Sequence, residues 1–187
     1  MVSAVAFVVA GGQSRRMGRD KALLPWGETD LLGHALARLR EVARDVRILC
    51  GAETRYLERG VPVETDPVRG AGPLAGVLAG LTAAPGRPGL FLAVDLPQVP
   101  VGLLRRLVER AEDGDAVVPV SPRGPEPLCA VYGPGCLEPI RRRIAAGDSK
   151  MTAFWPAVRV IELGTAELAA FGDPGDLFRN LNTPADL

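Results

Sequence analysis

The sequence has little from which to build a histidine or thiol centre. It holds one histidine, His34, and three cysteines, Cys50, Cys129 and Cys136, none in a C-x-x-C spacing. One His cannot supply a multi-His zinc site, and a Ser-His-Asp arrangement would have to use that single ring. His34 lies in the apolar-spaced run 31–39, where a partly exposed helical histidine is expected. An odd number of cysteines without metal spacing signals neither a disulfide framework nor structural zinc, and fits a reducing, cytoplasmic setting. Net charge is missing too, because 22 Lys+Arg cancel 22 Asp+Glu. A domain that holds nucleic acid through its phosphates usually carries a basic excess, so no nucleic-acid partner is expected. No run approaches the ~20 apolar residues that cross a bilayer, which excludes a membrane helix. The apolar N-terminus lacks a basic n-region and a cleavage site, so no secretory leader is expected. Lysine itself is scarce: 20 of the 22 basic residues are Arg, and only Lys21 and Lys150 remain.

What is present is a core. The chain has 187 residues, a length suited to one domain, and is 47% hydrophobic. Its 22 Gly and 17 Pro fall between apolar runs, as sharp connections do. Short β-branched or apolar runs alternate with helical patterns, so the expected class is α/β with a mainly parallel sheet. Strands are expected at 4–10, 46–50, 61–64, 90–94, 116–120, 128–132 and 158–163. Helices are expected at about 31–43, 74–82, 101–112 and 137–146, followed by a looser tail. In such sheets ligands bind beyond the carboxyl ends of the strands, so the turns after Ala10, Cys50, Glu64 and Val94 are the places to search.

The turn after the first strand reads Gly11-Gly12-Gln13-Ser14-Arg15-Arg16-Met17-Gly18-Arg19-Asp20-Lys21. Paired glycines let backbone N–H groups approach an anion, and four cations share the loop, which suits a polyphosphate. It is neither a Walker A motif nor G-x-G-x-x-G. Alone, it would serve equally as a structural turn with solvated arginines. Asp95, at the carboxyl end of the run 90–94 and followed by prolines, can offer hard oxygen to Mg²⁺. It lies too far upstream to cap the helix near Val101. Arg69-Gly70-Ala71-Gly72-Pro73-Leu74-Ala75-Gly76 enters a helix and offers a further N-terminal dipole. Asp66, in Glu64-Thr65-Asp66-Pro67, can accept from two adjacent donors such as those of guanine, a pair cytosine lacks; an Asp-Pro turn is its other reading.

Taken together, residues 9–21 closely resemble the signature of the nucleoside-triphosphate transferase family. With Gly72-Pro73-Leu74-Ala75-Gly76, Asp95-Leu96-Pro97 and Asn180-Leu181-Asn182-Thr183-Pro184, the chain resembles the molybdenum cofactor guanylyltransferases of that family over nearly its whole length. The resemblance implies a three-layer, Rossmann-like nucleotidyltransferase domain over 1–187, nucleotide-binding in about 1–100 and acceptor-binding in about 101–187. It implies Mg²⁺-dependent transfer of GMP from GTP to molybdenum-molybdopterin, with pyrophosphate released. By the family pattern, Val9, Ala10, Gly11, Gly12, Ser14 and Gly76 line the nucleotide, Lys21 contacts its phosphates with Arg16 nearby, Asp66 lies in the guanine subsite, and Asp95 holds Mg²⁺. Asn180 and Asn182 would face the pterin. The family often has Asn after the second strand, where this chain has Cys50-Gly51-Ala52, so base selectivity rests on less. A monomer is expected, with transient contact to molybdoenzymes or cofactor-insertion proteins.

The chemistry agrees with the residue inventory. An acceptor phosphate is already a nucleophile at neutral pH, so catalysis can rest on positioning and charge neutralisation without a histidine base. In a chain that uses Arg for nearly every cation, a retained Lys suggests a position wanting a compact point charge. Lys21 fits that need. Lys150 is the second candidate, for the acceptor's phosphate, against the alternative of a solvated helix-end Lys. Two other readings stay open at this point: the same reaction with CTP or a different phosphorylated acceptor, and a non-catalytic nucleotide- or cofactor-binding module.

Overall fold

The computed structural model describes residues 3–11, 20–68 and 70–181. Strand β1 (Val5–Val9) reads Val-Ala-Phe-Val-Val and every residue is buried. Branched and aromatic side chains pointing both ways belong to a strand covered on both faces. A small antiparallel hairpin, β2 (Pro25–Trp26) and β3 (Thr29–Asp30), leads into helix α1 (Leu31–Arg40). The Asp30 side chain caps α1 by accepting from the Gly33 amide at 2.8 Å. Then follow β4 (Asp45–Leu49), β5 (Val63–Glu64), α2 (Gly72–Ala83), β6 (Gly89–Ala93), α3 (Val101–Glu109) and β7 (Ala116–Ser121). The chain continues through β8 (Gly124–Pro125), β9 (Cys129–Tyr132), α4 (Leu137–Ala145), β10 (Val160–Leu163) and the short α5 (Thr165–Leu168).

The main sheet has the order β10-β7-β9-β6-β1-β4-β5, with β8 paired to β7. Its pairs are parallel except those of β9, antiparallel to β6 and β7, and the β7–β8 hairpin. The expected mostly parallel sheet is therefore present. Helices α2 and α4 cover one face, over Phe7, Phe91 and Tyr132, while α1, α3 and α5 cover the other, over Ala6, Val8, Leu90 and Leu92. Helix α2 is apolar all round, as a helix pressed into a core must be. It starts two residues before the expected bound, with Pro73 in its first turn, where a missing N–H leaves nothing unsatisfied. An aromatic row runs through this face. Phe7 stacks on Phe91 at 5.0 Å between centroids, Phe91 meets Tyr132 at 5.7 Å, and Tyr132 meets Phe154 at 5.8 Å. Gly80 of α2 makes room for it, since a Cβ there would lie 2.7 Å from the Phe91 ring.

Helices α1 and α3 end about three residues before their expected bounds, where the chain turns under the strands that follow. The β2–β3 hairpin, β8 and α5 were not expected, being too short to carry a periodic signal. Among the described residues, no helix is long and apolar enough to cross a membrane. The topology has one consequence for function. From β1 the chain moves outward to β4 and β5, then returns through α2 to β6 on the other side of β1. The connections from β1 and β6 diverge there, opening the crevice in which sheets of this kind bind ligands.

Candidate functional site

The crevice begins where β1 ends. Ala10 N donates to Leu49 O at 2.8 Å and Val94 N to Val9 O at 3.1 Å, so the ends of β4, β1 and β6 are pinned side by side. Gly11 crosses Gly51 so closely that a Cβ on Gly11 would lie 2.8 Å from the Gly51 amide nitrogen. Only a residue without a side chain permits that crossing. The chain is described again from Asp20, whose side chain caps a single 3₁₀ turn, Lys21–Leu23, by accepting from Ala22 N at 3.1 Å. Gly12 and Ser14, expected to contact the nucleotide, and Arg16, expected to act with Lys21 in catalysis, lie outside the described residues, as do Arg15, Arg19, Arg69 and Asn182.

Lys21 and Asp95, 74 positions apart in sequence, meet here. Lys21 Nζ donates to Asp95 Oδ2 at 2.8 Å, with the two side chains 18% and 26% exposed. Asp95 leaves β6 in the turn before α3, whose own N-cap, Pro100, provides no side-chain bond, so Asp95 is not spent on capping. At the other end of the chain, Leu181 N donates to Asp95 O at 3.2 Å. This brings exposed Asn180, the preceding residue, towards the Asp95 turn. Among the described residues no group of three His, Cys, Asp or Glu side chains is arranged to hold a metal. That suits Mg²⁺, which usually takes one or two carboxylates and completes its shell with phosphate and water. Lys21 already compensates the Asp95 carboxylate, so a divalent ion held there would share it with the ammonium or displace it, with the carboxylate as its hard oxygen donor.

Asp66 stands further along the same edge, in the loop between β5 and α2. Its amide donates to Gly51 O at 2.8 Å, and a Cβ on Gly76 would lie 3.6 Å from Asp66 Oδ1. Gly76 of α2 therefore lies beside the carboxylate, within ordinary contact distance. Burial raises the Asp66 pKa above its ordinary value. A half-buried carboxyl in a cleft is a common functional arrangement. Cys50 is buried and turns its Sγ–H to Glu64 O at 3.3 Å. It therefore offers a base nothing in place of the family's Asn. Lys150 is exposed in the turn after α4, where its amide donates to Asp148 Oδ1 at 3.3 Å, and the structure does not link it to Asp95.

Two arginines that sequence reasoning passed over hold this site together. Arg55 donates to Asp20 Oδ2 at 3.0 Å, to Ala10 O at 3.3 Å and to Cys50 O at 3.0 Å, and lies 5.0 Å over the Tyr56 ring. Tyr56 OH also donates to Asp20 Oδ2, at 2.7 Å. One guanidinium thereby joins the start and the end of the basic loop. Its segment has no periodic pattern, so nothing in the sequence marked it. Arg38, on α1, donates to Pro97 O at 2.8 Å and Leu96 O at 3.3 Å in the turn after Asp95. For Arg38 a signal did exist: positions 31, 35 and 38 share the buried stripe of α1, and an Arg in that stripe is out of pattern. His34 is part-buried as expected, and its Nε2–H also reaches Pro97 O, at 3.1 Å. The cysteines are inert packing: burial pushes the thiols of Cys129 and Cys136 up to about 12.

Comparison with known proteins gives the family and the fold. Residues 6–159 match the MobA-like NTP transferase domain. A probable molybdenum cofactor guanylyltransferase of Pelotomaculum thermopropionicum is 37% identical over 187 residues, spanning 100% of this chain and 91% of that protein. The crystal structure of molybdopterin-guanine dinucleotide biosynthesis protein A from Archaeoglobus fulgidus superposes with a TM-score of 0.82 at 25% identity, over 97% of this chain and 93% of that one. A cytidylyltransferase of 2-C-methyl-D-erythritol 4-phosphate from Thermus thermophilus has the same fold, with a TM-score of 0.69 at 19% identity over 98% and 94% of the two chains. The chain belongs to the MobA-like NTP transferase family and is a nucleotidyltransferase of the molybdenum cofactor guanylyltransferase kind.

Proposed function

We propose that the chain transfers GMP from GTP to the phosphate of molybdenum-molybdopterin, releasing pyrophosphate, with Mg²⁺ as cofactor. The observation that carries this reading is the meeting of Lys21 and Asp95 at 2.8 Å, at the point where the connections from β1 and β6 diverge. An oxygen of the acceptor phosphate attacks the α-phosphorus of GTP, and the bond to the bridging oxygen of the β-phosphate breaks. Both reactants are anions, so the main task is to hold them together and offset the charge that builds on the phosphoryl oxygens. Lys21 supplies a point charge for the phosphates. Asp95 would hold Mg²⁺, which when bound neutralises phosphate charge and orients the oxygens. Val9, Ala10 and Gly11 supply the close backbone edge, with Gly12, Ser14 and Arg16 assigned to the same loop.

In this reading Asp66 accepts from the N1–H and exocyclic amine of guanine, beside Gly76. With Cys50 turned away, Asp66 is the described side chain on which choice of base rests. Asn180 and Asn182 face the acceptor, Lys150 is the outlying candidate for its phosphate, and the halves 1–100 and 101–187 serve nucleotide and acceptor. The same fold in a cytidylyltransferase makes CTP the alternative to test. Pyrophosphate release should require GTP, Mg²⁺ and molybdopterin together, and calorimetry should give tighter binding of GTP than of CTP. Tighter binding of CTP, or GTP binding without pyrophosphate release, would overturn the assignment.

A further inference from the structure

Arg38 is buried, with 8% of its surface exposed, on a helix face that otherwise meets the core through Leu31, Leu32, Ala35, Leu36 and Leu39. Taking a guanidinium out of water costs several kcal/mol and is usually offset by a carboxylate. Among the described residues no carboxylate forms an ion pair with Arg38, and Glu41 favours its charge only from beyond hydrogen-bond reach. Arg38 donates to two neutral carbonyls, Leu96 O and Pro97 O, and its Nη2 is buried without a hydrogen-bond partner. A methionine of similar reach would fill the space without that desolvation. The guanidinium is therefore poorly explained as a stabilising element, and its action is directed at one place, the turn that carries Asp95.

That turn packs Leu96 and Val99 into the core, but it has few backbone bonds of its own. Its own backbone bonds, Leu96 N to Ala93 O at 3.2 Å and Val99 N to Leu96 O at 3.5 Å, are long, and α3 begins without a side-chain cap. Polar restraints from outside are Arg38 and His34 from α1, Lys21 Nζ on Asp95 Oδ2 and Leu181 N on Asp95 O. The same helix also carries the other half of the ion pair, because Leu31 N, at the start of α1, donates to Leu24 O just after the turn of Lys21. Both members of the Lys21–Asp95 pair are thus referred to one rigid element.

We propose that Arg38 is a positioning residue for the Asp95 carboxylate, fixing through the Leu96 and Pro97 carbonyls the direction in which its oxygens meet a divalent cation. This rests on the reading of Asp95 as the metal-holding group. Residues that orient a ligand without touching the ion commonly alter metal affinity 10- to 100-fold when removed.

The test is Mn²⁺ titration of the full chain with GTP, followed by electron paramagnetic resonance, on wild type, Arg38→Met, Arg38→Lys and Asp95→Asn, with thermal melting alongside. Arg38→Met should weaken Mn²⁺ binding by about tenfold or more while melting no lower than wild type. Arg38→Lys, which keeps a donor within reach of one carbonyl, should recover part of the affinity and serves if the Met variant does not fold. A lower melting temperature with wild-type Mn²⁺ affinity in the Met or Lys variant would make Arg38 a structural strut and overturn the proposal. Asp95→Asn separates the two levels. If it leaves Mn²⁺ binding intact, the reading of Asp95 fails and this proposal with it; if it abolishes binding and neither Arg38 variant weakens it, the proposal alone fails.

Discussion

The two faces of the sheet are packed to different ends. The face under α2 and α4 closes over an aromatic row from Phe7 to Phe154, with glycines set back to admit the rings. The face under α1 and α3 has an equally buried apolar interior, yet a guanidinium and an imidazole pass along its upper edge to reach one turn. The first arrangement maximises contact, and the second gives up some contact to hold a polar turn in place. A difference of this kind separates residues that keep the protein folded from residues that keep it competent, and it can be tested by perturbing each face separately.

The largest effect is expected on the aromatic face. Phe91→Ala removes a fully buried ring that touches two others, and should lower unfolding free energy by about 3–5 kcal/mol, read by chemical denaturation. Turnover by the remaining folded protein should stay close to wild type. Lys21→Ala is the converse: melting should barely change, while loss of one charge that offsets the phosphates should slow turnover roughly 100- to 1,000-fold. Equal losses of stability and turnover in both variants would erase the distinction between the faces.

Asp66 sharpens the comparison through pH. Burial raises its pKa above the ordinary aspartate value, so the native state holds the proton more tightly than the unfolded chain. Its contribution to stability is then favourable below the unfolded pKa and is lost as pH rises through the folded value. Asp66→Asn should be at least as stable as wild type at neutral pH. GTP binding has the opposite dependence, because a protonated carboxyl accepts poorly. Affinity should fall on acidification with a midpoint above that of an ordinary aspartate, and calorimetry on Asp66→Asn should give weak binding without that pH dependence. The smallest effect marks the baseline. Arg105 of α3 meets Glu41 at 3.5 Å across an exposed gap, and Arg105→Ala should change stability by under about 0.5 kcal/mol.

Much of this was legible before any coordinates. Runs such as Leu90-Phe91-Leu92-Ala93-Val94 are apolar without alternation because both faces of their strands are covered, and that pattern fixes a mostly parallel sheet. The position of Asp95 at a strand end, and of Lys21 after a glycine turn, follows from the same reading. Pairing direction was harder: Cys129-Ala130-Val131-Tyr132 carries no mark of running against its neighbours, because buried strands look alike whichever way they point. The hairpin of Pro25–Trp26 and Thr29–Asp30 is two residues a side, below the length at which alternation means anything. Arg55 was out of reach for a different reason. Its partners, Ala10 O, Cys50 O and Asp20, are brought together by the tertiary fold, and two of them are backbone atoms that no side-chain pattern encodes.

The bond from Leu181 N to Asp95 O has a consequence in time as well as in space. A growing chain makes Lys21 and Asp95 early, yet the amide that secures the Asp95 turn is added some 86 residues after it. Phe178 and Leu181, both buried in the finished core, arrive in the same late segment. A ribosome-bound chain of the first two thirds therefore carries the charged pair without the tail that holds its carboxylate in register. Assembly of the centre waits until residue 181 has been made, so a product truncated before that residue would lack part of the scaffold that orients Asp95.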